Sequence, residues 1–187
     1  MWSEMFDLFL TSFNETLLMV SISGVVGALF GVPLGVLLHL TNRGGVLSHP
    51  LFNRTIGVVV NAVRSIPFII LLVVVIPFTR FIVGSSIGTT AAVVPLTIAA
   101  IPFIARLVES ALREVDKGLV EAAQSMGAST GQIVTKVLLP EAMPGIVAGL
   151  TITFVSLVGY SAMAGAIGGG GLGDLGIRYG YQRYITE

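Results

Sequence analysis

Long stretches without a charged side chain dominate the sequence. Residues 16–42, 81–105 and 142–173 contain no Asp, Glu, Lys or Arg. A bilayer core of about 30 Å requires around 20 apolar residues in a helix that rises about 1.5 Å per residue. We therefore predict four membrane-spanning helices, in chain order at about 16–40, 56–78, 84–108 and 142–164. The predicted fold is an all-α, polytopic transmembrane helical bundle.

The composition supports a membrane protein and excludes several other classes. Of the 187 residues, 54% are hydrophobic and 11% are charged, whereas about a quarter of an ordinary soluble domain is charged. Ten basic side chains balance ten acidic ones, so the chain does not resemble a protein that binds nucleic acid by charge. With no cysteine, and with His39 and His49 far from any paired carboxylate, we predict no catalytic residue, no metal site and no cofactor.

The positions of Lys and Arg predict the orientation. Basic side chains concentrate in the loop after the first span and in the loop after the third, and the segment before the first span has none. Short cytoplasmic loops are enriched in Lys and Arg. We therefore predict that these two loops face the cytoplasm and that the amino terminus lies outside.

The first 15 residues allow two interpretations. Trp2, Phe6, Phe9 and Phe13 recur at the spacing of one helix face. Such a face is typical of an interfacial helix that lies along the bilayer surface, and we assign residues 1–15 to such a segment. The alternative is that these residues form the first turns of the first span.

The first span also carries a ridge of small residues. Ser23, Gly27, Gly31 and Gly35 repeat every four positions, a pattern that permits close contact between helices. We predict that this ridge packs against a neighbouring helix and binds no ligand.

The loop at 109–141 holds eight of the twenty charged side chains. The pattern predicts a helix over 119–126 that ends at a left-handed Gly127. It predicts a second helix that begins at a capping box of Ser129 and Gln132 and ends at Pro140. Five acidic and three basic residues in the loop argue against a DNA-binding helix-turn-helix. A hairpin that docks into a groove of a partner protein is favoured, and a hairpin that packs only on its own bundle is the alternative.

This loop resembles the EAA loop of type I ABC-importer permeases, whose pattern is E-A-A-x3-G-x9-I-x-L-P, with Val137 where isoleucine is usual. The resemblance covers essentially the whole chain and implies an ABC transmembrane type-1 domain over 16–187. It implies that the loop couples the permease to a cytoplasmic ATPase through Glu121, Ala122, Ala123, Gly127, Leu139 and Pro140. It also implies a bacterial inner membrane location, two ATP-binding subunits, a second copy of the chain and an external substrate-binding lipoprotein. ATPase activity is expected on the separate subunits, because the sequence has no G-x-x-x-x-G-K-[ST].

Two further segments are most similar to permeases of methionine importers. They are Arg64-Ser65-Ile66-Pro67-Phe68 and Gly159-Tyr160-Ser161-Ala162-Met163. The resemblance implies transport of methionine or a similar small amino acid. A permease for a glycine betaine- or phosphonate-type importer and a non-transport membrane scaffold are the alternatives. Members of this family carry a fifth span after the glycine-rich segment, so we expect that this chain is truncated at its carboxyl end.

The glycine-rich segment itself interrupts the fourth span. Residues 165–180 include eight glycines, and each glycine costs about 1 kcal/mol of helix propensity. We predict that the span unwinds here beside the translocation path, and a flexible outer loop is the alternative. The candidate substrate-pathway residues are Tyr160, Ser161, Met163, Gly168 and Gly169.

Overall fold

A computed structural model describes residues 2–182, with side chains from Glu4 onward, and the regular structure in that range is helical. The Trp2 side chain and residues 183–187 lie outside this description. The α-helices are α1 (Trp2–Thr41), α2 (Pro50–Ser65), α3 (Phe68–Val74), α4 (Ile76–Val83), α5 (Thr89–Arg113), α6 (Lys117–Ser125), α7 (Thr130–Ile133), α8 (Leu139–Ala164) and α9 (Gly171–Leu175). Wider π-helical turns occupy Val134–Leu138, Gly165–Gly169 and Gly176–Gln182.

Three helical segments of the described chain are long and apolar enough to cross a membrane. They are Glu4–Thr41, Thr89–Arg113 and Thr130–Gly169, and the bent pair α2 and α3 provides a fourth when it is counted as one span. The prediction of an all-α transmembrane bundle is confirmed.

The second predicted span, 56–78, is not one straight helix. Helices α2 and α3 meet at an angle of 105°, and the chain is extended at Pro67, with φ −55° and ψ 135°. Proline has no N–H to donate and disfavours helical backbone in the residue before it, here Ile66. The predicted span therefore consists of two helices that are separated at this proline.

The helix that follows the hairpin turn does not end at Pro140. Helix α7, the π-helical turn at Val134–Leu138 and α8 run on without a break. The Leu139 N–H bonds to the Val134 carbonyl five residues back, and Pro140 is then the second residue of α8, where its missing N–H does no harm. The predicted end of the coupling loop at 141 therefore has no counterpart in the helix boundaries.

Helix α1 runs without interruption from Trp2 to Thr41, a length of 40 residues. No helix boundary separates residues 2–15 from the first predicted span, which favours the alternative that they are its first turns. Phe6, Phe9 and Phe13 are exposed, and the rings of Phe9 and Phe13 stack with centroids 6.2 Å apart.

The described chain forms two compact units. One comprises residues 2–27, 66–100 and 154–182, and the other comprises 28–65 and 101–153. In the first unit, the Ser23 hydroxyl donates to the Val93 carbonyl at 3.3 Å.

In the second unit, Gly31 and Gly35 lie against α5. A Cβ atom at Gly35 would approach the Ala105 carbonyl oxygen to 2.6 Å, and one at Gly31 would meet Ile104 at 2.8 Å. These two contacts confirm the prediction that the small-residue ridge packs against another helix.

Candidate functional site

The hairpin between α5 and α8 is built by local capping. The Asp116 carboxylate accepts the Gly118 N–H at 2.7 Å and starts α6. At the other end, the Gly127 N–H bonds to the Gln124 carbonyl at 2.9 Å and the Ala128 N–H to the Ala123 carbonyl at 3.0 Å. This pair of bonds is a Schellman motif, which requires the left-handed backbone that Gly127 adopts with φ +77°.

The second arm of the hairpin starts with the predicted capping box. The Ser129 hydroxyl accepts the Gln132 N–H at 3.4 Å, and the Gln132 side chain accepts the Ser129 N–H at 2.8 Å. The hairpin turn is thus fixed by hydrogen bonds on both sides of Gly127.

The predicted coupling residues separate into inward and outward positions. Ala123 is buried, whereas Glu121, Ala122 and Gly127 are exposed at the surface of the hairpin. Leu139 and Pro140 lie apart from this group at the start of α8. Next to the turn, Met126 is 81% exposed, so the hairpin presents an apolar group to solvent as well as the Glu121 carboxylate.

A buried charge cluster anchors the helix that leads into the hairpin. Glu109 is 2% exposed and is paired with Arg106 at 2.5 Å and with Arg113. The Arg106 guanidinium also donates to the Asn61 side chain at 3.1 Å and to the Gly57 carbonyl at 3.0 Å, which ties α5 to α2. Sequence reasoning missed this cluster, although the i, i+3 and i+7 spacing of the three charges on one helix was its signal.

The glycine-rich segment breaks the helix where the sequence predicts. Helix α8 ends at Ala164, and the backbone is non-helical at Ile167 and Gly168. Gly168, Gly170 and Gly171 adopt positive φ angles of 96°, 77° and 75°. L-residues with a side chain rarely adopt this backbone conformation, so glycine is required here.

Two side chains of α1 hold the break in place. The Glu15 carboxylate accepts the Gly171 N–H at 2.6 Å, and the Thr16 hydroxyl accepts the Leu172 N–H at 2.9 Å. A Cβ at Gly170 would lie 2.8 Å from the Glu15 carboxylate. We call this contact the α1 clamp. The sequence did not reveal it because 156 residues separate each pair.

The predicted substrate-pathway residues have different surroundings. Tyr160 stacks on Phe68 with ring centroids 4.7 Å apart, and Ser161 is buried and donates to the Val158 carbonyl at 2.8 Å. Of the five predicted residues, Gly169 alone lines a mainly apolar cavity of about 250 Å³ beside Ile87 and Thr79. Within residues 4–182, no group of three or more His, Asp or Glu side chains could hold a metal ion.

Comparison with protein families decides the class of the chain. The model of the family described as binding-protein-dependent transport system inner membrane component matches residues 31–186. The chain belongs to this family. Membership in this family of transport-system membrane components confirms the predictions of an importer permease and of a multi-pass inner membrane protein.

Individual members of the family are closely similar to the chain. The probable D-methionine transport system permease protein MetI of Vibrio cholerae is 62% identical over 178 residues, which is 95% of this chain and 79% of the relative. The D-methionine transport system permease protein MetI of Escherichia coli K12 is 58% identical over 151 residues, or 81% of this chain and 70% of the relative. A chain in a crystal form of the inward-facing MetNI methionine ABC transporter is 55% identical, with a TM-score of 0.95 over 97% of this chain and 84% of that one.

Proposed function

We propose that the chain is the permease subunit of an ATP-driven importer that moves methionine, in its D- and L-forms, across the inner membrane. The observation that carries the proposal is the similarity to a chain of the MetNI methionine ABC transporter, at 55% identity and a TM-score of 0.95. The D-methionine permeases of Vibrio cholerae and Escherichia coli, at 62% and 58% identity, support the same substrate class.

The proposed importer contains four further components. Two ATP-binding subunits on separate chains supply the energy, a second copy of the permease completes the translocation path, and an external lipoprotein delivers the substrate. The exposed Glu121 and Met126 on a hydrogen-bonded hairpin support docking to an ATP-binding subunit. A second copy is expected because the few spans of one chain enclose little space, and two-fold dimers are the commonest homo-oligomers among soluble proteins.

The proposed orientation places the amino terminus outside and the hairpin in the cytoplasm. Its support is the distribution of basic side chains, with Arg43 and Arg54 after the first span and Arg113, Lys117 and Lys136 after the third. In this orientation the glycine-rich break lies towards the outer face.

The hairpin couples ATP hydrolysis to transport through a continuous helix. From Thr130 to Ala164 the helical turns of α7, Val134–Leu138 and α8 follow one another without a break, so a displacement of the hairpin is passed along α8. Closure of the ATP-binding subunits would tilt this helix in both copies and switch access from the outer to the cytoplasmic side. Glu121, Ala122, Ala123, Gly127, Leu139 and Pro140 are the proposed coupling residues.

The proposed substrate path runs past the end of α8. Tyr160, Ser161, Met163, Gly168 and Gly169 lie within and before the break, and irregular backbone in a membrane survives where protein or a water-filled cavity satisfies it. Single cysteines at positions 158–172 of the cysteine-free chain test the path with a water-soluble thiol reagent. We expect that methionine slows the reaction of the reagent with some of these cysteines. If no cysteine reacts even without substrate, the segment does not line the path.

Co-purification tests the proposed assembly. The affinity-tagged chain, extracted in detergent from its own host, is expected to carry an ATP-binding subunit. Glu121→Arg should reduce its recovery, because the substitution reverses the charge presented by the hairpin. Glu114→Gln, an exposed position in the same loop, is the matched control. The chain would be a membrane scaffold if it is recovered without an ATP-binding subunit and if loss of that subunit leaves uptake unchanged.

A further inference from the structure

A cavity of about 450 Å³ opens beside the first arm of the hairpin. It is bounded by the end of α1 and the turn that follows it, by the end of α5, and by α6. Its apolar wall includes Val46, Val120 and Leu138. Its charged groups are Arg43, Arg113, Lys117 and Glu121.

The charge around the cavity is predominantly positive. Arg43, Arg113 and Lys117 line it against the single carboxylate of Glu121, and all three cations are exposed. Arg113 is paired with Glu109. Over the part of the chain that the structure describes, Arg43 and Lys117 have no ion-pair partner. Two cations of the cavity lining, Arg43 and Lys117, are therefore not neutralised by an ion pair.

The cavity lies at the level where two spans end. The membrane-spanning segments Glu4–Thr41 and Thr89–Arg113 both terminate at its rim. The end of the apolar part of a span marks the headgroup region of the bilayer. With the orientation given in the proposed function, on which this step rests, the cavity opens at the cytoplasmic leaflet, whose anionic lipids attract Lys and Arg.

We propose that this cavity binds the phosphate of an anionic phospholipid headgroup from the cytoplasmic leaflet. A guanidinium group pairs with phosphate oxygens through two parallel hydrogen bonds, and the Lys117 ammonium adds a point charge. The apolar wall accommodates the glycerol and the first acyl carbons of the lipid. A free phosphate ion has no apolar part and would make no contact with this wall. Basic pockets between transmembrane helices on the cytoplasmic side are established binding sites for such headgroups.

The bound headgroup has a consequence for coupling. Lys117, Glu121 and Gln124 belong to α6, the first arm of the hairpin, whereas Arg43 follows α1. A phosphate held between Arg43 and Lys117 connects the turn after α1 to the first arm of the hairpin. ATP hydrolysis by the assembled importer should therefore be faster in membranes that contain anionic lipid.

The test measures retention of phosphatidylglycerol by the purified complex of permease and ATP-binding subunits, using native mass spectrometry after exchange into mixed phosphatidylglycerol and phosphatidylcholine. One retained phosphatidylglycerol per permease is expected. Arg43→Gln and Lys117→Gln should each weaken retention about fivefold. Arg54→Gln is the matched control, because Arg54 is exposed and lies outside the cavity lining. Co-purification of the ATP-binding subunits shows that each variant is folded.

The outcomes separate the lipid from other ligands. Equal retention of the two lipids, or equal retention by Arg54→Gln and the cavity variants, overturns the proposal. Displacement of phosphatidylglycerol by millimolar inorganic phosphate would identify a free anion as the occupant and overturn it as well. The two proposals fail independently. If the complex does not take up methionine but still retains phosphatidylglycerol, and the cavity variants still weaken that retention, only the proposed substrate is wrong.

Discussion

Gly127 carries the turn of the hairpin through its backbone conformation alone. Its φ is +77°, and a Cβ placed there would meet nothing within 4 Å. The cost of a side chain is therefore conformational, about 1–2 kcal/mol, and is greatest for a β-branched residue. We predict that Gly127→Val lowers methionine uptake several-fold more than ATP hydrolysis, measured as molecules transported per ATP hydrolysed.

Two variants control for this effect. Gly131→Ala changes a helical glycine with equally open space around it and should leave coupling unchanged. Gly127→Asn should retain most of the coupling, because asparagine tolerates the left-handed region. Normal coupling in Gly127→Val would show that the turn conformation is not needed.

Glu109 is the most buried charged residue in the described chain, and its two partners differ in exposure. The side chain of Arg106 is 20% exposed and that of Arg113 is 55% exposed, so solvent screens the second pair more strongly. Removing the carboxylate charge leaves Arg106 hydrogen-bonded to Asn61 and Gly57 but without its ionic partner. We predict that Glu109→Gln destabilises the chain by about 3 kcal/mol, measured by thermal unfolding in detergent. The exposed Glu114→Gln should change stability little, and equal melting temperatures would refute a structural role for the cluster.

At the scale of elements, the α1 clamp fixes the break after α8. The carboxylate of Glu15 accepts a backbone N–H of the break, and a hydrogen bond to a charged group contributes about 1.5–3 kcal/mol. We predict that Glu15→Ala raises the reactivity of a cysteine at position 167 towards a water-soluble thiol reagent about tenfold, because the segment opens more often.

The chain permits a clean version of this measurement. It contains no native cysteine, so Ile167→Cys is the only reactive site, and Ile167 is already 43% exposed. Asp7→Ala removes another carboxylate from the same helix and should leave the labelling rate unchanged. Equal labelling rates in the Glu15 and Asp7 variants would show that the clamp does not restrain the break.

Elements governed by neighbouring residues were predictable from the sequence. The left-handed stop at Gly127 and the capping box of Ser129 and Gln132 depend on residues a few positions apart, and the structure has both. Proline at position 67 indicates a possible kink, because it removes a backbone donor, but the apolar composition around it does not show how far the chain bends there. The end predicted at Pro140 was wrong, because a π-helical turn lies just before the proline and the helical backbone continues past it.

At the scale of the whole molecule, long-range pairings escaped the sequence. Charge-free stretches identify the spans, since each of them must cross the same thickness of hydrocarbon. The contact of Glu15 with Gly171 and that of Arg106 with Asn61 join distant segments, and no periodicity in a single sequence encodes which segments meet. The cavity beside the hairpin is likewise formed by three separate segments, so its lining could be recognised only in three dimensions.

At this scale the chain is a permease whose transport is driven by ATP hydrolysis on a partner subunit. The most direct test is uptake of radiolabelled methionine by proteoliposomes that contain the chain, its ATP-binding subunit and the substrate-binding lipoprotein. We predict saturable uptake that requires ATP and that excess unlabelled D- or L-methionine abolishes, whereas glycine betaine and phosphonate do not. The chain would not be an ATP-driven methionine permease if uptake proceeds without ATP. The same holds if glycine betaine or phosphonate blocks uptake and unlabelled methionine does not.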